Sequence, residues 1–184
     1  MDPKIRQRAK SALLAAGWDG IKPALVVWGR DQLLELLTGQ VAQRGAVWPI
    51  STGLAGFGNQ QDSGCTPTGL HRISDCIGAD APLGTVFVGR QPTGEVLKPG
   101  STPDGDFITT RILWLDGLEP GVNQGGAVDS RSRYIYIHGT PHTALLGQPV
   151  SAGCVRMSDM DIVSLFERVS EGTLVLMIAK NPEL

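Results

Sequence analysis

Two short pieces of chain decide how this protein is read: Tyr134-Ile-Tyr-Ile-His138-Gly-Thr140 and, ten residues on, Ser151-Ala-Gly-Cys154-Val-Arg156-Met157. The first is rich in aromatic and β-branched residues and reads as the end of a strand over 133–138. The second is a turn of small residues. It leads into a helix capped by Ser158 or Asp159, in which Ile162, Leu165, Phe166 and Val169 recur at helical spacing. Gly172 stops that helix, and 173–178 reads as a last strand.

Outward from this segment the chain is mostly strands and turns. Residues 4–16 form a short helix with a basic face, with Asp2 as its cap and Pro3 at a first helical position. Strands follow at 24–28 and 33–37, joined through Gly29-Arg30-Asp31-Gln32 as a hairpin. Further strands are expected at 46–51, 69–73, 85–89 and 107–115. Residues 53–66 make a long polar, glycine-rich loop of the kind that often carries function. Residues 91–106 and 116–130 are turn-rich. Trp28, Trp48 and Trp114 are expected in the core. This pattern implies a mainly β chain, a sandwich or barrel-like sheet pair with one or two packed helices.

The whole chain has 184 residues and a formal net charge of −2. That length suits one domain with a real core. Its cations are scattered, so no nucleic-acid footprint is expected. No run approaches the ~20 apolar residues of a membrane span. The apolar stretch after Lys4, Arg6, Arg8 and Lys10 is shorter than a secretory signal requires, so a cytoplasmic location is expected, with a periplasmic one as the alternative. The three cysteines, Cys65, Cys76 and Cys154, leave at least one thiol free. Cys65 and Cys76 read as small buried or loop residues, reduced in a cytosolic protein.

Chemistry concentrates at Cys154 and His138. A thiol on a tight glycine turn is exposed to substrate, and a histidine at a strand end reaches it if the intervening loop folds back. Free cysteine at neutral pH is mostly thiol, so a neighbouring imidazole is needed to take its proton. Arg156, two residues on, adds positive charge or binds a carboxylate. Taken singly, each has a blander reading: a packed cysteine, a structural histidine, a surface arginine. Their company in one segment favours catalysis. His142 lies four residues past His138, but on a loop that spacing does not place two ligands on one face, so no metal site is expected. One of His71 and Arg72 is expected to line the cleft or serve structure. Tyr134 and Tyr136 share a face and border the site or pack.

The pattern HGT…SxGCxRM, with sixteen residues from His138 to Cys154, resembles the signature of the L,D-transpeptidase (YkuD-type) catalytic domain. Thr66-Pro67-Thr68-Gly69 followed by Leu70-His71-Arg72-Ile73 is similar to that family's TPxGxxxI strand. Ile50-Ser51-Thr52-Gly53 is similar to its PVSTG turn. The likeness runs from about Ala24 to about Ile178. It implies a β-sandwich catalytic domain over 22–184, a helical extension over 1–21, and one helix after the catalytic cysteine. It further implies Cys154 as nucleophile, His138 as base and Arg156 in the cleft, with Gly153, Ser151 and Gly139 lining an oxyanion or substrate site and no cofactor. The implied substrate is a peptidoglycan tetrapeptide stem or muropeptide. The bond between its diamino acid, usually diaminopimelate, and D-Ala is cleaved through a thioester. A chain inside the cell meets free muropeptides, so an L,D-carboxypeptidase of muropeptide recycling is the expected activity. The alternatives are an exported L,D-transpeptidase making 3-3 cross-links and an inactive peptidoglycan-binding module; retention of Cys154 and His138 speaks against the latter. Many members have histidine where this chain has Ala152.

Overall fold

The run Ala-Leu-Val-Val-Trp of β1 (Ala24–Trp28) is buried along its whole length, and that fact organises the molecule. A strand covered on both faces reads as an uninterrupted apolar run. Leu25 and Val27 face the main core, whereas Ala24, Val26 and Trp28 face a second cluster beneath the N-terminal helix. The computed structural model describes residues 2–39, 45–98 and 100–179. The expected domain limits at 1 and 184 fall outside them.

Helix α1 (Pro3–Ala15) begins as expected: Asp2 accepts a hydrogen bond from Lys4 N at 2.8 Å, and proline stands in the first turn. Its Ala9 and Leu13 lie on β1 and on the last strand. Its basic face also has a specific use. Glu35, buried within the Leu-Leu-Glu-Leu-Leu strand β2 (Leu33–Leu37), accepts from Arg6 Nε at 2.7 Å and from Trp28 Nε1 at 3.1 Å. A buried carboxylate needs such partners, and Arg6 thereby ties the helix to the sheet.

The remaining strands are β3 (Val47–Pro49), β4 (Gly69–Ile77), β5 (Thr85–Val88), β6 (Gln91–Val96), β7 (Ile108–Gly117), β8 (Tyr136–Thr140), β9 (Val155–Ser158) and β10 (Leu174–Ile178). They form one ten-stranded sheet in the order β3-β2-β1-β10-β4-β7-β5-β6, with β8 on the other edge of β7 and β9 beyond it. Pairs β1–β10 and β8–β9 are parallel. The sheet folds over, so that β1, β2 and β3 share one core with β7, β8 and β9. Its ends are stitched by Ser51 and Arg156, which exchange backbone hydrogen bonds of 3.0 and 2.9 Å. This is the expected mainly-β sandwich with an N-terminal helix and one later helix, α2 (Asp159–Phe166). Ser158, not Asp159, caps α2, accepting from Asp161 N at 3.1 Å.

Several element limits differ from the sequence expectation. Residues 133–135 are not strand; Tyr134 has φ +56°, and β8 instead runs on through Gly139 and Thr140. The segment 91–96 is a strand although every residue is exposed, because it pairs with β5 as a hairpin arm. Residues 155–158 are a strand rather than part of a turn. Trp28 and Trp48 are core, but Trp114 is only partly buried and borders the site.

Candidate active site

Strands β8 and β9 run parallel with His138 opposite Arg156 and Ile137 opposite Val155. Side chains alternate along each strand. Ile137, Val155 and Met157 therefore enter the main core, while Tyr136, His138, Cys154 and Arg156 share the other face. The small-residue turn delivers Cys154 to the start of β9, diagonal to His138. The short strand β9, unread in the sequence, sets this geometry.

Two distant motifs build that turn. Thr66 is fully buried; its hydroxyl donates to Gly153 O at 2.8 Å and accepts from Gly53 N at 2.8 Å. Leu54 N donates to Ser151 O at 2.8 Å, and Ser151 N to Thr52 O at 2.9 Å. The segments Ile50–Gly53 and Thr66–Gly69 thus meet at the turn that carries the thiol. Gly153 has φ +125°, a conformation that favours glycine, and a Cβ there would lie in tight contact, 3.1 Å, with Cys65 O.

Residues expected to line an oxyanion site are engaged in this architecture. Gly153 N donates to Ser151 Oγ at 3.1 Å, and Ser151 Oγ donates to Cys154 O at 2.6 Å. Both atoms hydrogen-bond within the turn. Gly139 is buried, and a Cβ there would lie 2.6 Å from both Asp159 Oδ1 and Thr109 O. Its own carbonyl takes up His138 Nδ1 at 2.8 Å. The orienting partner of the imidazole is therefore a backbone carbonyl. With Nδ1–H donated there, Nε2 carries the lone pair.

Burial pushes the His138 imidazole down to about 4, opposed by the Gly139 carbonyl and the nearby Asp106 and Asp159 carboxylates and assisted by Arg156. Burial likewise pushes the Cys154 thiol up to about 11; the Tyr136 N–H and the Arg156 and Arg133 cations pull it down, and Asp106 pushes it up. Tyr136 N approaches Cys154 Sγ at 3.4 Å, and the thiol donates to Tyr134 O at 3.4 Å. At rest the site holds a neutral thiol and a neutral imidazole.

Arg156 is buried, and its Nη2 meets Asp106 Oδ2 at 2.5 Å. Asp106 and Arg133 carried no sequence signal, and Asp159 only that of a helix cap. Asp106 lies fifty residues from Arg156. Asp159 Oδ1 accepts from the hydroxyls of Thr109 and Thr110 at a bulge of β7, and Thr110 has φ +67°. Arg133 donates to Gly58 O, Asn59 O and Cys65 O at 3.2, 3.0 and 2.6 Å, fastening the 53–66 loop over the turn. Of the other candidates, His71 is fully buried between Gly69 O and Ser130 Oγ, and Arg72 pairs with Asp116 across β4–β7. His142 Nε2 meets Gly105 O at 2.9 Å. Ala152 is exposed. Cys65, Cys76 and Cys154 are all free thiols. Among the described residues no three His, Cys, Asp or Glu side chains cluster as metal ligands, and no helix is long and apolar enough to cross a membrane.

The chain is similar to known proteins in sequence and in fold. The chain is 32% identical over 94 residues to YqjB of Bacillus subtilis, covering 44% of this chain and 53% of that protein. It is 36% identical over 83 residues to YkuD of the same organism, covering 45% and 47%. It thus spans about half the length of the curated relatives it matches. Among solved structures, Bd1075 of Bdellovibrio bacteriovorus has a TM-score of 0.54 at 14% identity, covering 87% of this chain and 49% of that one. L,D-transpeptidase 3 of Mycobacterium tuberculosis has 0.51 at 18%, covering 85% and 61%. These two likenesses concern the fold. A family model described as the L,D-transpeptidase catalytic domain, YkuD, matches residues 24–177, from β1 to the end of β10, and the chain belongs to that enzyme family.

Proposed function

We propose that this protein is a cysteine acyl-transfer enzyme that cleaves the diamino acid–D-Ala bond of a peptidoglycan tetrapeptide stem through a thioester on Cys154. One observation carries the reading: His138 lies opposite Arg156 in the parallel β8–β9 pair and Cys154 immediately precedes β9, with His138 Nδ1 held by Gly139 O. That arrangement leaves Nε2 as the only ring nitrogen able to accept a proton.

The reaction follows from these atoms. A separated thiolate–imidazolium pair is costly when the thiol lies near 11 and the imidazole near 4. The thiol proton therefore passes to His138 Nε2 as Sγ bonds to the carbonyl carbon. The Asp106 and Asp159 carboxylates stabilise the imidazolium as it forms. His138 then returns the proton to the amine of D-Ala as the C–N bond breaks. The thioester remains. Water resolves it to a tripeptide, as an L,D-carboxypeptidase of muropeptide recycling inside the cell would; an amine of a second stem resolves it to a 3-3 cross-link, as an exported transpeptidase would.

The test is incubation with a disaccharide-tetrapeptide, read by mass spectrometry beside a Cys154→Ala control. Loss of one D-Ala without dimer identifies hydrolysis and favours recycling. Dimers, or exchange of D-Ala for an added D-amino acid, identify transpeptidation. The Cys154→Ala protein is expected to show less than about a thousandth of the wild-type rate. Equal activity in that variant, or no product from either protein, would reject the reading.

A further inference from the structure

The hairpin β5–β6 turns through Gly89 and Arg90, both at positive φ, +57° and +68°. Such two-residue turns favour Asn and Gly, and an arginine in this conformation is uncommon. Its side chain is placed with equal specificity. The guanidinium stacks 4.5 Å from the Trp114 ring centroid and 5.3 Å from that of Tyr134, and Nη1 donates to Tyr136 Oη at 3.2 Å. Arg131, beside it on Trp114, is paired with Asp75 at 2.7 Å. Arg90 makes no ion pair among the described residues.

Arg90 also borders a cavity of about 590 Å³ between the hairpin and the 77–82 segment, and Asp80, which also acts on the Arg111 cation, lines it from that segment. Ile77, Ala81 and Phe87 line this cavity and belong to the apolar cluster against which Cys154 packs. One tyrosine spans from nucleophile to cation: Tyr136 N is 3.4 Å from Cys154 Sγ and its Oη is 3.2 Å from Arg90 Nη1.

We propose that Arg90 and Asp80 form a subsite for the amino acid end group on the side chain of the diamino acid whose carbonyl Cys154 attacks, Arg90 taking the carboxylate and Asp80 the ammonium. This rests on the acyl-transfer reading above. Length and charge both fit. From the α-carbon to the far carboxylate, diaminopimelate extends roughly 6 Å, about the reach of a tyrosine side chain from Cα to Oη. An unpaired guanidinium offers that carboxylate two parallel donors. Lysine has the ammonium but no carboxylate, so the subsite selects diaminopimelate over lysine.

The experiment uses three synthetic tetrapeptides that differ only at the third residue: diaminopimelate, its side-chain carboxamide, and lysine. Wild-type kcat/KM is expected to be about tenfold or more higher for the free acid, mainly through KM. Arg90→Asn, whose new side chain tolerates the left-handed turn, is expected to bring the free acid down to the wild-type level for the carboxamide. Asp80→Asn is expected to weaken the acid while leaving its advantage over the carboxamide. An Arg90→Asn loss of the same factor on all three peptides would make Arg90 merely structural and overturn the proposal, as would a wild type indifferent to the end group. If no peptide turns over, the acyl-transfer reading has failed separately. Titration of the same peptides into Cys154→Ser by Trp fluorescence then decides the subsite: acid-selective binding lost in the Arg90→Asn double variant supports it, and unselective binding or none overturns it.

Discussion

His138 and Cys154 rest as neutral groups, and each is neutral for the same reason. Burial penalises the charged form, lowering a base and raising an acid. The Arg156 and Arg133 cations do not reverse the effect on the thiol. Arg156 is already held by Asp106, which itself pushes the thiol up. A consequence is low thiol reactivity before substrate arrives. With the thiol at about 11 instead of 9.0, the thiolate population at neutral pH is roughly a hundredth of that of an ordinary cysteine. In a Cys65→Ser/Cys76→Ser background, iodoacetamide is expected to label Cys154 slowly at pH 7, with the rate still climbing beyond pH 10. A rate that levels off below pH 8 would show a preformed ion pair and contradict this account.

At the scale of elements, the turn bearing Cys154 depends on segments far away in sequence. Loop 53–66 reaches it through Thr66 and Gly53, and Arg133 fastens that loop with three carbonyl contacts. Arg133→Ala is expected to cost about 1–3 kcal/mol by leaving those carbonyls without their charged donor. The measurable sign is faster amide exchange in 53–66, with α1 unchanged; equal exchange throughout would detach Arg133 from the loop. The same dependence explains what could be read from sequence. Strands β1, β2 and β10 were legible because their apolar runs are long and bounded by turn residues. His138, Cys154 and Arg156 were legible because they share one segment. Strand β6 was not, since all its side chains are exposed and no alternation marks it. Nor was β9, whose four residues follow a glycine turn and are held as a strand by β8. Asp106, Arg133 and Arg90 act through the folded-over sheet, and nothing in local spacing announces them. The resemblance implies an oxyanion or substrate role for Gly153 and Ser151; the hydrogen bonds from Gly153 N to Ser151 Oγ and from Ser151 Oγ to Cys154 O are not legible in local spacing.

For the molecule as a whole, the doubled sheet encloses two histidines without protonating them, and its pH stability should record that. His71 sits between Gly69 O and Ser130 Oγ, His138 on Gly139 O, and burial lowers each to about 4 from 6.5. A lowered value means that the unfolded chain takes up protons first. Between pH 6.5 and 4 the unfolded state binds more of them, so stability is complete above about 6.5 and falls as pH drops through this window. Two histidines set a limiting slope of about 2.7 kcal/mol per pH unit. Carboxylates held low by hydrogen bonds, such as Asp75 and Asp129, start from 3.8, so their loss begins near the lower edge of the window. At the other end Cys154 has the opposite sign: the unfolded thiol ionises near 9.0 while the folded one waits until about 11, so stability declines as pH rises between those values. The expected curve of Tm against pH is therefore a plateau from about 6.5 to 9 with a steep acid side. His71→Gln should roughly halve the acid slope by removing one of the two protons. A Tm that stays level from pH 6.5 to 4.5 in the wild type would mean that these imidazoles are open to protonation in the native state, and the neutral resting pair at the active site would fall with it.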